Sequence, residues 1–271
     1  MYETRSLSSN RAFIFHFIRR ALRYHSPITA CLRIDVTDTL ERIDTCRAEG
    51  QAVSLISYIT LASAKTIEAH PRLTQRIYHG LFRKTVATFD HITAGLLVAR
   101  REEGGEEVLI PLMIRDTNTR SLEEIHDIIE DAKTGPLNQA GSYQSLKKLR
   151  RLPKFLIGFA QFLSRTSPRY GEKRFATYGL SSVTTRDSPA IGGHTVASRT
   201  TFFPGNIREE VLAVNGEPAV RKTFFIGLSV DHFMVDGMDL QRAVSTFQSF
   251  MENPDTLLPT TPPPPAAAKN T

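Results

Sequence analysis

Asp231-His232-Phe233-Met234-Val235-Asp236-Gly237 gathers an imidazole, two carboxylates and a glycine into one short stretch. Histidine has the side chain whose unperturbed pKa lies nearest neutrality, so it is the usual base for removing a proton from a thiol or alcohol. A lone histidine is ordinarily a surface or satisfied core residue, but this one sits inside an H-x-x-x-D-G pattern. The apolar run Phe224–Val230 precedes it, and Leu240, Ala243, Val244, Phe247 and Phe250 follow at helical spacing. The cluster therefore reads as the turn between a buried strand and the last helix. His194, after Gly192-Gly193, is a second and weaker site candidate, for which an exposed loop position is the simpler reading. His16, His25, His70, His79, His91 and His126 show no metal-ligand spacing, and no metal is expected.

The rest of the chain must hold that turn in place. Ile28–Val36 alternates like a half-buried strand, and Asp38 has the chemistry to start a helix over Thr39–Ala48. Val53–Ala69 is a strongly apolar helix closed by His70-Pro71. Strands are predicted at Ile77–Tyr78 and Leu81–Ala87 around His79-Gly80, then at Ile92–Arg101 and Val108–Arg115, with a charged hairpin loop at Glu102–Glu107. Ser121 with Glu124 forms a capping box for a helix to about Lys133. Ala176–Thr184 returns to strand character, Asp187–His194 is an irregular loop, and Val211–Val214 pairs with Lys222–Val230 through the Asn215-Gly216 turn. Interspersed helices and hairpin-linked strands predict an α+β sandwich with a mixed sheet flanked by helices. No dinucleotide-binding or P-loop glycine pattern opposes that class.

At 271 residues the chain has ample apolar content for one large core. Residues 1–252 read as one domain and the Pro/Ala-rich residues 253–271 as a disordered tail. Two cysteines, Cys31 and Cys46, are too few for a disulfide framework, which makes a reducing cytoplasm the expected compartment. Arg11–Arg23 reads as an amphipathic helix, too short and too interrupted to span a membrane. The net charge of +6 is concentrated. Lys147, Lys148, Arg150, Arg151, Lys154, Arg165, Arg169, Lys173 and Arg174 face only Glu172 over the same stretch, with Leu and Phe residues at helical spacing between them. A solvated helix face accounts for this, as does an anionic ligand such as a CoA phosphate, an acidic carrier protein or an anionic membrane surface. Nucleic acid is excluded as a partner, since no reader motif or stacking aromatics accompany the charges.

With these residues in hand, the chain resembles the catalytic domain of the dihydrolipoamide acyltransferases, the E2 components of 2-oxo acid dehydrogenase complexes, within the chloramphenicol acetyltransferase-like superfamily. Asp231–Gly237 is similar to the family's D-H-x-x-x-D-G signature, and Met251-Glu252-Asn253-Pro254 to the end of its final helix. Ser26–Ala30 with Asp35-Val36-Thr37, Ser54–Leu73, and Ile110–Asp116 with Ser121–Ile125 are similar to further segments in the same order, so the resemblance spans about residues 11–254. Three departures stand out. No lipoyl or subunit-binding domain precedes the catalytic region, so a stand-alone enzyme is expected. Phe233 occupies a position that is usually Arg in lipoyl-linked members. The serine strand is present only as Tyr178-Gly179-Leu180-Ser181-Ser182-Val183.

The resemblance implies acyl transfer from a thioester of CoA, a carrier protein or a lipoyl group to a thiol, hydroxyl or amine. His232 would deprotonate the acceptor, and Ser181, or its neighbour Ser182, would hydrogen-bond the oxyanion. The resemblance gives Asp236 a structural ion pair with an arginine, for which Arg19, Arg20 and Arg23 are candidates. Asp231 is expected to anchor the strand end and Gly237 to permit a tight turn or close packing. CoA thioester is expected as a co-substrate, with no tightly bound cofactor. The resemblance further implies a homotrimer in which histidine and serine come from neighbouring subunits. The competing reading, from a different class, is a non-catalytic trimeric scaffold that retains the fold.

Overall fold

The computed structural model describes residues 25–80, 83–101, 107–136, 143–145, 154–172, 175–181 and 198–258, together with residues 6, 15 and 19. All of the expected Arg11–Arg23 helix except Phe15 and Arg19, the Glu102–Glu106 loop, Ser182, His194 and residues 259–271 lie outside the described set.

Strand β1 (Pro27–Asp35) alternates as its sequence predicts, and helix α1 (Thr37–Ala48) follows at once. Asp38 does not cap α1: Val36 is the N-cap and offers no side-chain acceptor. Asp38 instead pairs with Arg221 at 2.6 Å, so a long-range ion pair displaces the local cap. Helix α2 (Leu55–Ala69) starts in a reciprocal box between Ser54 and Ser57 and buries almost every side chain along its middle. A separate hairpin follows, β2 (Arg76–His79) with β3 (Lys84–Ala87). Strands β4 (Ala94–Arg101) and β5 (Glu107–Ile114) lead to helix α3 (Leu122–Thr134), whose start is the Ser121–Glu124 capping box read from sequence.

Two helices, α4 (Lys154–Thr166) and α5 (Pro168–Glu172), precede the three-residue strand β6 (Tyr178–Leu180). A strand with no clear signal in the sequence, β7 (Thr200–Pro204), comes next, because its five residues end in proline and show no clean alternation. Strands β8 (Arg208–Val214) and β9 (Glu217–Asp231) form a hairpin whose turn has φ of 55° at Asn215 and 86° at Gly216. Positive φ at both central positions is the demand that an Asn-Gly pair meets. Helix α6 (Gly237–Glu252) closes the domain.

Seven strands form one mixed sheet in the order β1-β9-β7-β6-β4-β5, with β8 also on β9. The β4–β6 and β6–β7 pairs are parallel and the other pairs antiparallel. Helices α2, α3 and α6 cover one face, giving the expected α+β architecture. Tyr178 ties the layers: its hydroxyl donates to the Thr60 carbonyl at 2.6 Å, and its ring meets Phe202, which in turn meets Phe247 of α6. Gly227 lies under the Phe203 ring, where a Cβ would collide with the ring atoms.

Among the described residues, no helix covers the opposite face of the sheet at Leu97 and Leu109. Leu97 and Leu109 are about half exposed there, while their strand neighbours Leu96, Val98 and Ile110 point inward. Asn253 to Leu258 continue the ordered chain past α6. Pro254–Thr256 form a 3-10 turn, and Leu258 is buried because it packs back onto the core. Among the described residues no helix is long and apolar enough to cross a membrane.

Candidate active site

His232 is the first residue past β9, in the turn that leads to α6, and its side chain is exposed. Its backbone N–H donates to the Ser26 carbonyl at 2.7 Å, which fixes the turn to the start of β1. The ring is fixed separately: Nδ1 lies 2.9 Å from the Val235 carbonyl oxygen. A carbonyl can only accept, so Nδ1 carries a proton and the nitrogen left with a lone pair in the neutral ring is Nε2. That is the form in which imidazole acts as a base.

Asp231, next to it, is only 2% exposed. Its carboxylate accepts from the Ser26 N–H at 3.1 Å and the Phe233 N–H at 3.3 Å, and it forms an ion pair with Arg199. Asp231 thus joins the ends of β1, β7 and β9 beneath the histidine turn. Arg199 gives no local signal in the sequence, because its partner lies far along the chain.

Asp236 does not contact the His232 ring. It is the N-cap of α6, with Oδ1 accepting from Met238 N at 3.0 Å and Asp239 N at 2.9 Å. Those N–H groups, with Asp239 N first, hold its carboxyl below the usual carboxylate range, helped by Arg72 and Arg242. Its ion-pair partner among the described residues is Arg72, at 3.9 Å, with Arg72 closer still to Asp239 at 2.6 Å. This replaces Arg19, which is described and exposed; Arg20 and Arg23 lie outside the described residues. Arg72 was visible in the His70-Pro71-Arg72 segment, but without a hint of its partner. Gly237 departs from expectation too, since an added Cβ would meet nothing within 4 Å and its φ is not positive.

Ser181 directly follows β6 and donates its backbone N–H to the Phe202 carbonyl at 3.0 Å. It lies on the Leu97 face of the sheet, at a cavity of about 130 Å³ lined by apolar residues that include Leu97, Pro111, Met113 and Phe175. The register separates it from His232 in the same chain. Leu180 is level with Phe202, and Phe203 with Gly227, so Ser181 lies level with a point five residues before His232. That is about 17 Å along the strands, plus two strand spacings of ~4.8 Å across. The single chain therefore holds its histidine and its serine apart. Among the described residues, no group of three or more His, Cys, Asp or Glu side chains is arranged to hold a metal ion.

This fold and turn define a class, and the resemblance read from the sequence holds. Residues 202–259 match the family described as 2-oxoacid dehydrogenases acyltransferase (catalytic domain). Solved structures share the fold over nearly the whole chain. A probable dihydrolipoamide acetyltransferase from Listeria monocytogenes is 14% identical with a TM-score of 0.67, covering 93% of this chain and 94% of that one. The dihydrolipoamide acetyltransferase of Azotobacter vinelandii is 11% identical with a TM-score of 0.66, covering 95% and 94%. The cubic core of a pyruvate dehydrogenase multienzyme complex is 13% identical with a TM-score of 0.64, also covering 95% and 94%. No curated protein sequence matches the chain.

Proposed function

We propose that this protein is an acyltransferase that carries an acyl group from a thioester of CoA, a carrier protein or a lipoyl group to a thiol, hydroxyl or amine. The observation that carries the reading is the His232 Nδ1 contact with the Val235 carbonyl at 2.9 Å, which leaves Nε2 free as a base at an exposed turn. Nε2 takes the acceptor's proton while the acceptor attacks the thioester carbonyl. The tetrahedral oxyanion then collapses, expelling the thiolate, and the imidazolium returns the proton to it.

A hydroxyl donor for the oxyanion comes from Ser181 of a neighbouring subunit. Two features support a shared site: the in-chain separation of serine and histidine, and the apolar sheet face on which Ser181 stands. A homotrimer with each site at a subunit seam satisfies both. The Azotobacter enzyme's structure was studied for the role of a serine, a histidine and an asparagine in its catalytic mechanism, the asparagine four residues after the histidine. His232 and Asp236 have that same spacing.

The test is turnover of short acyl-CoA thioesters with thiol, alcohol and amine acceptors, followed as CoA release. His232→Ala is expected to lower the rate by about 10²–10⁴-fold, the usual worth of a general base, with the oligomer unchanged. A full rate in that variant removes His232 as the base. No transfer from any thioester by the wild type leaves the scaffold reading in possession.

A further inference from the structure

A second cleft lies at the end of the sheet where β4 and β6 begin, with a volume of about 240 Å³. Its lining includes Arg76, Phe89, His91, Arg115, Glu172 and Phe175. The Arg76 guanidinium is buried against two aromatic rings, 5.9 Å from the centroid of Phe89 and 5.7 Å from that of Phe175. It donates a hydrogen bond from Nη2 to the Ala176 carbonyl, lies against the Tyr78 hydroxyl, and has no carboxylate within ion-pair distance among the described residues. Guanidinium has five N–H donors and stays charged, so much of its donor capacity is left for a ligand in the cleft. Tyr78, beside it, supplies no counter-charge, since burial pushes its phenol up and keeps it neutral.

The charges in the rest of the lining balance, His91 and Arg115 against Asp116 and Glu172, so Arg76 is the excess charge of the cleft. Asp116, held at a left-handed φ of 52°, bonds His91 Nδ1 at 2.8 Å and favours the imidazolium. That carboxylate is thereby committed to His91, which leaves Glu172 as the acidic group facing Arg76 and Arg115. A buried cation without an ionic partner carries a desolvation cost that an anionic ligand offsets.

We propose that the Arg76 cleft binds a small organic anion, with Arg76 holding its carboxylate or phosphate group and Phe89 and Phe175 contacting its apolar body. The volume falls below the ~300–1,000 Å³ of clefts that hold drug-sized molecules, so the occupant is small. The cleft opens at the same sheet end as His232. Thr177, Arg199 and Asp231 lie in one row across β6, β7 and β9, one residue beyond the paired Tyr178, Thr200 and Val230. A ligand there lies roughly two strand spacings of ~4.8 Å from the histidine turn, away from Ser181. The inference does not rest on acyl transfer, and its test reads binding alone.

Calorimetric titration of the full chain with benzoate and with inorganic phosphate, each at constant ionic strength, is expected to give saturable one-to-one heat for at least one anion. A benzoate preference marks a carboxylate on an apolar body, and a phosphate preference marks a phosphate ligand. Arg76→Gln is expected to weaken binding at least tenfold, while Arg33→Gln, which removes a remote exposed cation on β1, leaves it unchanged. Should Arg76→Gln fail to fold, Arg115→Gln at the same cleft is expected to weaken binding severalfold without altering the circular dichroism melt. Absence of saturable heat with both anions overturns the proposal. So do equal losses in the Arg33 and Arg76 variants, or unchanged affinity in the Arg115 variant where Arg76→Gln does not fold.

Discussion

The Val235 carbonyl oxygen lies 2.9 Å from His232 Nδ1, inside a turn that the two residues share. Base and orienting acceptor are three residues apart, so the contact forms whenever the turn forms and needs no second carboxylate. The expected tautomer of the neutral ring is Nδ1–H, with Nε2 unprotonated. Two-bond ¹H–¹⁵N correlation spectra of the labelled protein, with His232→Gln used for assignment, distinguish the two tautomers. An Nε2–H signal for His232 would remove the base from the proposed mechanism.

Subunit mixing reads the separation of Ser181 from His232 within one chain. Neither Ser181→Ala nor His232→Ala is expected to support normal transfer alone. In mixed trimers formed from equal amounts, a site is complete when an intact histidine from one variant meets an intact serine from the other. Every mixed ring of three holds one such seam, so about one site in three is restored. Co-expressed variants tagged differently and purified through both tags give the measurement. Absence of recovered turnover in confirmed mixed oligomers places both groups outside a shared site.

Asp231 and Arg199 form a buried pair, and the same carboxylate also holds the Ser26 and Phe233 N–H groups. Removing one partner leaves the other charge buried and unpaired. Asp231→Ala is expected to cost about 3–5 kcal/mol in urea unfolding, as broken buried pairs do. Activity falls with it, because the histidine turn loses its floor. A stability loss below 1 kcal/mol would mean that Arg199 finds its counter-charge elsewhere.

The strand–turn–helix around His232 was legible because everything that makes it is local. An apolar run, a glycine and a helical stripe follow one another within the reach of periodicity arguments. The Asn215-Gly216 hairpin and the Ser121–Glu124 cap were legible for the same reason. The partners of Asp38, Asp231 and Asp236 were not, since Arg221, Arg199 and Arg72 reach them only through the fold. β7 escaped because its place between β6, which it pairs in parallel, and β9, which it pairs antiparallel, rewards five residues that have no strand signature alone. The Arg76 cleft escaped because its residues come from four separate stretches of the chain. In α4, helical spacing foretold a helix but not its orientation: Phe155, Phe159 and Phe162 are exposed.

Asp236 supplies a pH test with a definite sign. Hydrogen bonds from Asp239 N and Met238 N hold its carboxyl below the ordinary aspartate value of 3.8 in the folded chain. A lowered folded pKa means that the unfolded state binds the proton more readily. The stabilisation is therefore complete above the unfolded value near 3.8 and is lost as pH falls through the lower folded value. Asp236→Asn keeps a side-chain acceptor for the first turn of α6 and removes the charge that faces Arg72. Asp236→Ala removes both. The order of thermal midpoints at pH 7 is therefore wild type, then Asn, then Ala, with α6 losing its cap only in the last. As pH falls below 3.8 the wild-type carboxyl takes up its proton and its advantage over the Asn variant narrows, since both then present a neutral side chain. Thermal melts of the three proteins at pH 7, 5, 4 and 3 give the comparison. A constant gap between wild type and Asn across that range would show that the Asp236 charge contributes nothing to holding the turn beneath His232.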